Sequence, residues 1–217
     1  MIITIAGEHR AAHPPELGTL TVRIAVEDAD AAAAMAALTR EADRLTAEVD
    51  ALRQAEPSPV VASAVQAPGT RSWRPWNERG ESQPPRHEAS VRASVTFDDV
   101  GALAGWASRW GERDGWSLDE VTWSLTDAVR ARLEAAALRA AVADARRRAE
   151  AIAAECGTGR VTVLDVADAG LLPGGGGAPE PRVEAMARAF GQDAGEGVAV
   201  APEDVEVLVR LHVRFEA

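Results

Sequence analysis

Lysine and tyrosine are absent from this chain, and cysteine occurs once. Each absence removes a chemistry. Without lysine there is no Schiff-base amine, no phosphate-loop lysine and no kinase-type lysine. Without tyrosine there is no phenolic acid or base. One cysteine forms no intrachain disulfide, so nothing argues for an oxidising compartment, and the free thiol points to the cytoplasm. Long apolar runs are missing too. Met1 to Gly7 lacks a basic leader region and its apolar run ends too soon for a signal segment, so it reads as a strand. No other stretch approaches the roughly 18 to 20 residues of a membrane-spanning helix. The expectation is a soluble, cytoplasmic protein with no membrane partner.

Charge is dominated by one sign. Thirty-four acidic residues against 23 basic ones, all arginine, give a net charge of -11. Such a field repels phosphate backbones, which argues against nucleic acid as a partner. At 217 residues the chain can bury a core without a disulfide, metal or other cofactor. No linker divides it cleanly, so a single domain over 1–217 is expected.

Hydrophobic spacing sets the order of elements. Leu20 to Val26 alternates as a half-buried strand. Asp28 or Asp30 can cap a helix whose Met35, Leu38, Ala42, Leu45, Val49 and Leu52 form one stripe. Val60 to Val65 is a short strand, and Pro68 to Arg86, rich in Pro, Gly and Arg, reads as a long surface loop. His87 to Phe97 is a strand. Asp98 or Asp99 then caps a helix with Val100, Leu103, Ala107 and Trp110 on one side, broken by Gly111 and Gly115. Trp116 to Leu125 is a strand, and Thr126 or Asp127 opens a long alanine-rich helix that stops at Gly157. Val161 to Val166 and Val205 to Phe215 are the last strands. Between them, 171–197 carries Gly174 to Gly177 and reads as a flexible loop, with a short amphipathic helix possible around Val183, Met186, Ala187 and Phe190.

From Leu20 to Leu125 this order is strand, helix, strand, strand, helix, strand, the split βαβ pattern. The predicted class is α+β, with an antiparallel or mixed sheet, an added long helix and two C-terminal strands. The three helices are expected mainly on one face of that sheet.

The same order, with certain local sequences, resembles the SIMPL-domain family, a bacterial group of unknown function. The matching pieces are the opening strand with Gly7 and Pro15-Glu16, the strand Leu20 to Val26, and the strand Ala89 to Phe97 followed by an acidic cap. They continue with Val121-Thr122-Trp123-Ser124-Leu125-Thr126-Asp127, Ala153-Ala154-Glu155-Cys156-Gly157, and Pro202-Glu203-Asp204-Val205 leading to Phe215. None of these is catalytic, so the resemblance transfers fold before function. It implies a homo-oligomer and points toward envelope or stress physiology, although many members begin with a signal peptide and none is expected from Met1 to Gly7 here.

Candidate chemistries are few. His9 and His13 are four apart, but Pro14 and Pro15 oppose a helix there and no third metal ligand is evident. His87 and His212 stand alone on strands. Cys156 ends a helix, where the dipole disfavours a thiolate, and a packing role is expected. The glycine run lacks the Lys-Ser/Thr ending of a phosphate loop. Arg146 to Arg148 reads as an ion-paired helix face. No nucleophile elbow or zinc-protease signature occurs. The protein is therefore expected to be non-enzymatic.

The tryptophans divide by place. Trp106, Trp110, Trp116 and Trp123 fall on elements and belong to a core. Trp73 and Trp76 flank Arg74 in the Pro/Arg loop, where exposed indoles are costly unless covered. Trp73, Arg74 and Trp76 are the candidate interaction residues, against the alternative that both indoles fold back on their own domain. The expected function is a self-associating scaffold or interaction protein. The rival is a binding module for a small ligand or a protein client, with this loop as its mouth.

Overall fold

A computed structural model describes residues 1–168, 171 and 202–217 of the chain. It has eight strands and three helices among those residues, in two antiparallel sheets. The elements gather into two compact units. The predicted helix around Val183 to Phe190 and the glycine run lie outside the described residues.

The described helices and strands of the larger unit lie within Pro15–Ser124. Its elements are β2 (Leu17–Asp28), α1 (Ala31–Arg53), β3 (Val60–Val65), β4 (Gly69–Trp73), β5 (Arg86–Phe97), α2 (Val100–Gly111) and β6 (Trp116–Ser124). The sheet order is β3-β5-β2-β6, and β4 pairs with β5 beyond the end of β3. This is the order a split βαβ chain generates, with every pairing antiparallel. Alternation is clean because period-2 geometry sends neighbouring side chains to opposite faces. Leu20, Val22 and Ile24 on β2, and Val91, Val95 and Phe97 on β5, are all buried. α1 supplies Leu38, Leu45 and Val49 to the buried set, and α2 supplies Leu103, Trp106 and Trp110.

The caps resolve the open choices. Asp30 caps α1, Asp99 caps α2, and Thr126 caps the third helix. The amides of Ala33 and Ala32 donate to the Asp30 carboxylate and hold its pKa below the ordinary 3.8. A carboxylate lowered in this way stabilises the fold above its unfolded pKa, and the contribution is lost as pH falls through the lowered value.

Aromatic rings run through this unit. Trp106 lies 6.0 Å from Phe97 and 5.8 Å from Trp110, and Trp110 stacks on Trp116 at 4.3 Å. The Arg113 guanidinium sits 4.5 Å over Trp110 and also donates to Glu41 of α1. Glu41 accepts from Trp116 Nε1 as well, while the indole nitrogens of Trp106 and Trp110 are buried with no hydrogen-bond partner. Gly18 is needed here because a Cβ would come within 2.6 Å of the Trp123 ring and 2.7 Å of Leu103.

The smaller unit is built from β1 (Ile2–His13), α3 (Asp127–Glu155), β7 (Thr162–Asp168) and β8 (Val205–Glu216), in the sheet order β1-β8-β7. Thus the long helix packs on a second sheet of its own, rather than beside α1 and α2 on a single sheet. Its buried residues are Ala137, Ala141, Ala145, Ala149 and Ala153. At about 100° per residue, a repeat of four advances about 40° around the helix per step, so the stripe follows a twisted sheet. Small side chains on the helix leave the volume to Ile3, Ile5, Leu211, Val213 and Phe215 from the strands. The closest approach is at Gly7, where an added Cβ would meet the Ala141 carbonyl oxygen at 2.3 Å. Gly7→Ala is therefore expected to destabilise the protein by about 1–3 kcal/mol in urea unfolding. An unchanged midpoint would contradict this packing.

Candidate functional site

The segment 68–86, expected as a loop, is partly strand. Gly69 to Trp73 pairs with Arg86 to Ser90, and Trp76 bridges to Ser82. Proline and glycine at its borders conceal a five-residue strand whose partner is the edge of β5. This strand brings Arg71 to Glu88, and a charged cluster forms on the sheet face opposite the buried alternation.

Glu88 is 6% exposed and is the one buried charged side chain among the described residues. One carboxylate oxygen accepts from Arg23 at 2.7 Å and the other from Arg71 at 2.8 Å. A buried carboxylate without such partners would be strongly unfavourable, so two charge-assisted bonds are the condition for Glu88 to sit there. The Arg71 guanidinium also lies 4.8 Å over the Trp73 ring. Arg23, Glu88, Arg71 and Trp73 thus form one chain of contacts linking β2, β5 and β4.

Beside the cluster runs a row of small residues. Gly69 pairs with Ser90, and Ser90 with Ala25, so three adjacent strands present almost no side chain at this level. The result is an open cleft of about 430 Å³, lined by Arg23, Gly69, Thr70, Arg71, Glu88 and Ser90.

Beyond β4 the chain turns in a hydrogen-bonded arm. Asn77 Oδ1 accepts from the amides of Arg79 and Glu81, Asn77 Nδ2 donates to the Glu81 carboxylate, and Gln83 N donates to Pro75 O. Gly80 takes φ +71 in the turn, where a side chain would be strained. On this arm Trp76 is 70% exposed.

The three candidate residues therefore have different environments. Trp73 is half-buried under Arg71, Arg74 is exposed, and Trp76 is exposed on a built turn. Trp106, Trp110, Trp116 and Trp123 are buried as expected. His9 and His13 lie on β1, where four residues span about 13 Å, too far to share a metal ion. Among the described residues, no three His, Cys, Asp or Glu side chains are grouped to hold one. Cys156 is exposed at the end of α3 and does not pack in the core. Asp144 pairs with Arg147 and Arg148, and Arg148 also donates to the Ala6 carbonyl. The Ser72 hydroxyl meets His87 Nδ1 at 2.7 Å one rung from the Arg71–Glu88 pair, on the opposite face of the sheet. No described helix is long and apolar enough to cross a membrane.

The family model described as SIMPL, protein of unknown function (DUF541), matches residues 3–215. The chain belongs to the SIMPL family. The match takes in both units of the fold. A search of the curated proteins found no match. Membership in SIMPL brings no activity with it, so any function rests on the geometry of this chain.

Glu88→Gln tests the cluster. It leaves two guanidiniums around a neutral amide and is expected to cost about 1–3 kcal/mol, reduced from the fully buried case because both arginines reach solvent. Arg71→Ala, on the more exposed partner, should cost less. Equal effects in urea unfolding would contradict the assignment of Glu88 as the centre.

Proposed function

We propose that this SIMPL protein is a non-enzymatic, self-associating scaffold, and that the arm bearing Trp76 is its contact with a second copy of the chain. The observation that carries this is a large indole, 70% exposed, on a turn fixed by its own hydrogen bonds. An exposed indole on a mobile loop would lose freedom on docking, whereas one on an ordered turn has little left to lose. Tryptophan and arginine are the side chains most enriched at interface hot spots, and Arg74 is exposed two residues from Trp76.

A second observation favours the same reading. The outer strand of the smaller sheet, β7, carries exposed Val163, Leu164 and Val166. An apolar edge strand is a template for pairing with another chain. The exposed free thiol of Cys156 supports a reducing compartment such as the cytoplasm.

Trp76→Ala removes the indole without touching the Arg71–Trp73 contact. It is expected to raise the self-association Kd by about 30-fold, which corresponds to roughly 2 kcal/mol for one hot-spot side chain. Sedimentation equilibrium over a dilution series reads this, with circular dichroism unchanged. A wild-type chain that stays monomeric throughout, or a variant with wild-type association, would refute the proposal.

A further inference from the structure

The cleft beside Glu88 has features that the arm does not explain. Arg23 and Arg71 each give one nitrogen to Glu88, yet a guanidinium carries five N–H donors. Two guanidiniums share the one Glu88 carboxylate, so each keeps N–H donors beyond that pairing. Two further charged side chains share this sheet face. Arg92, opposite Arg23 on β5, pairs with Asp119 at 3.7 Å, and Glu27, opposite Glu88 on β2, is exposed and does not line the cleft.

We propose that this cleft binds an oxyanion, a carboxylate or phosphoryl group of a small molecule, on the free donors of Arg23 and Arg71. Planar guanidiniums recognise both groups through paired hydrogen bonds. Glu88 fixes the two arginines before a ligand arrives, which lowers the ordering cost of binding. The Ser90 hydroxyl is a further donor on the floor of the cleft. The missing side chain at Gly69 and the small ones at Ser90 and Ala25 leave the space, and about 430 Å³ is within the range of small-molecule sites.

The absence of a side chain at Gly69 also supplies the control. A Cβ there meets nothing within 4 Å, and its backbone has no positive φ, so Gly69→Val is compatible with the strand. It places an isopropyl group in the cleft and changes no charge. Inorganic phosphate and succinate are titrated separately into the full chain by calorimetry and thermal shift, against sodium chloride at matched ionic strength. Either anion is expected to raise Tm saturably above the chloride control, with affinity falling about tenfold or more in Gly69→Val. A response to phosphate alone assigns a phosphoryl ligand, and one to succinate alone a carboxylate. No saturable response to either anion would overturn the proposal. So would unchanged affinity in Gly69→Val, or in Arg71→Gln if the valine variant does not fold.

Discussion

A buried carboxylate held between two arginines is the interaction on which the working face of this protein depends. Glu88 sits on β5, Arg23 on β2 and Arg71 on β4, so one side chain ties three strands together. β4 pairs only with β5 among the described strands and is five residues long. A strand bonded along one side only has half the ladder of an interior strand. Arg71 gives it a charge-assisted anchor at mid-length, and its contact with Trp73 extends that anchor to the base of the arm. The clasp thus lines the cleft and anchors the strand from which the arm springs, while the turn of the arm is held by its own hydrogen bonds.

Close backbone approach plays the corresponding part elsewhere. Gly7 lets β1 meet the alanine stripe of α3, and Gly18 makes room for the Trp123 ring. In both places a small residue permits a contact that a Cβ would forbid, and the bulk comes from the facing element. Such sites carry stability. The exposed Trp76 indole instead makes no such packing contact, and the cleft uses donors of Arg23 and Arg71 beyond those that hold Glu88.

Much of the fold was legible in the sequence because its signals are local. Period-2 runs marked β2, β5, β6 and β8, aspartates and a threonine marked the helix starts, and Gly157 marked the end of α3. Two features were not legible. The division into two sheets depends on β1 pairing with β8 across almost the whole chain length, which no local pattern encodes. Strand β4 was hidden by Pro68 and Gly69 at its start and Pro75 beyond its end, and with it the meaning of Glu88. A glutamate on the polar face of an alternating strand reads as solvated. Its burial comes from arginines 65 and 17 residues away in sequence. The Pro/Arg setting left open whether Trp73 and Trp76 stand on an arm or fold back on their own domain, and the difference between them depends on the contact of Trp73 with Arg71. Cys156 was misjudged because a helix end can face either the core or water, and residue type alone does not decide which.

The claim that the clasp at Glu88 fixes β4 and the arm is open to hydrogen–deuterium exchange on the Glu88→Gln chain. The account predicts faster amide exchange across 69–83, with the amides of β1 and β8 unchanged. Wild-type protection across 69–83 in that variant would contradict it.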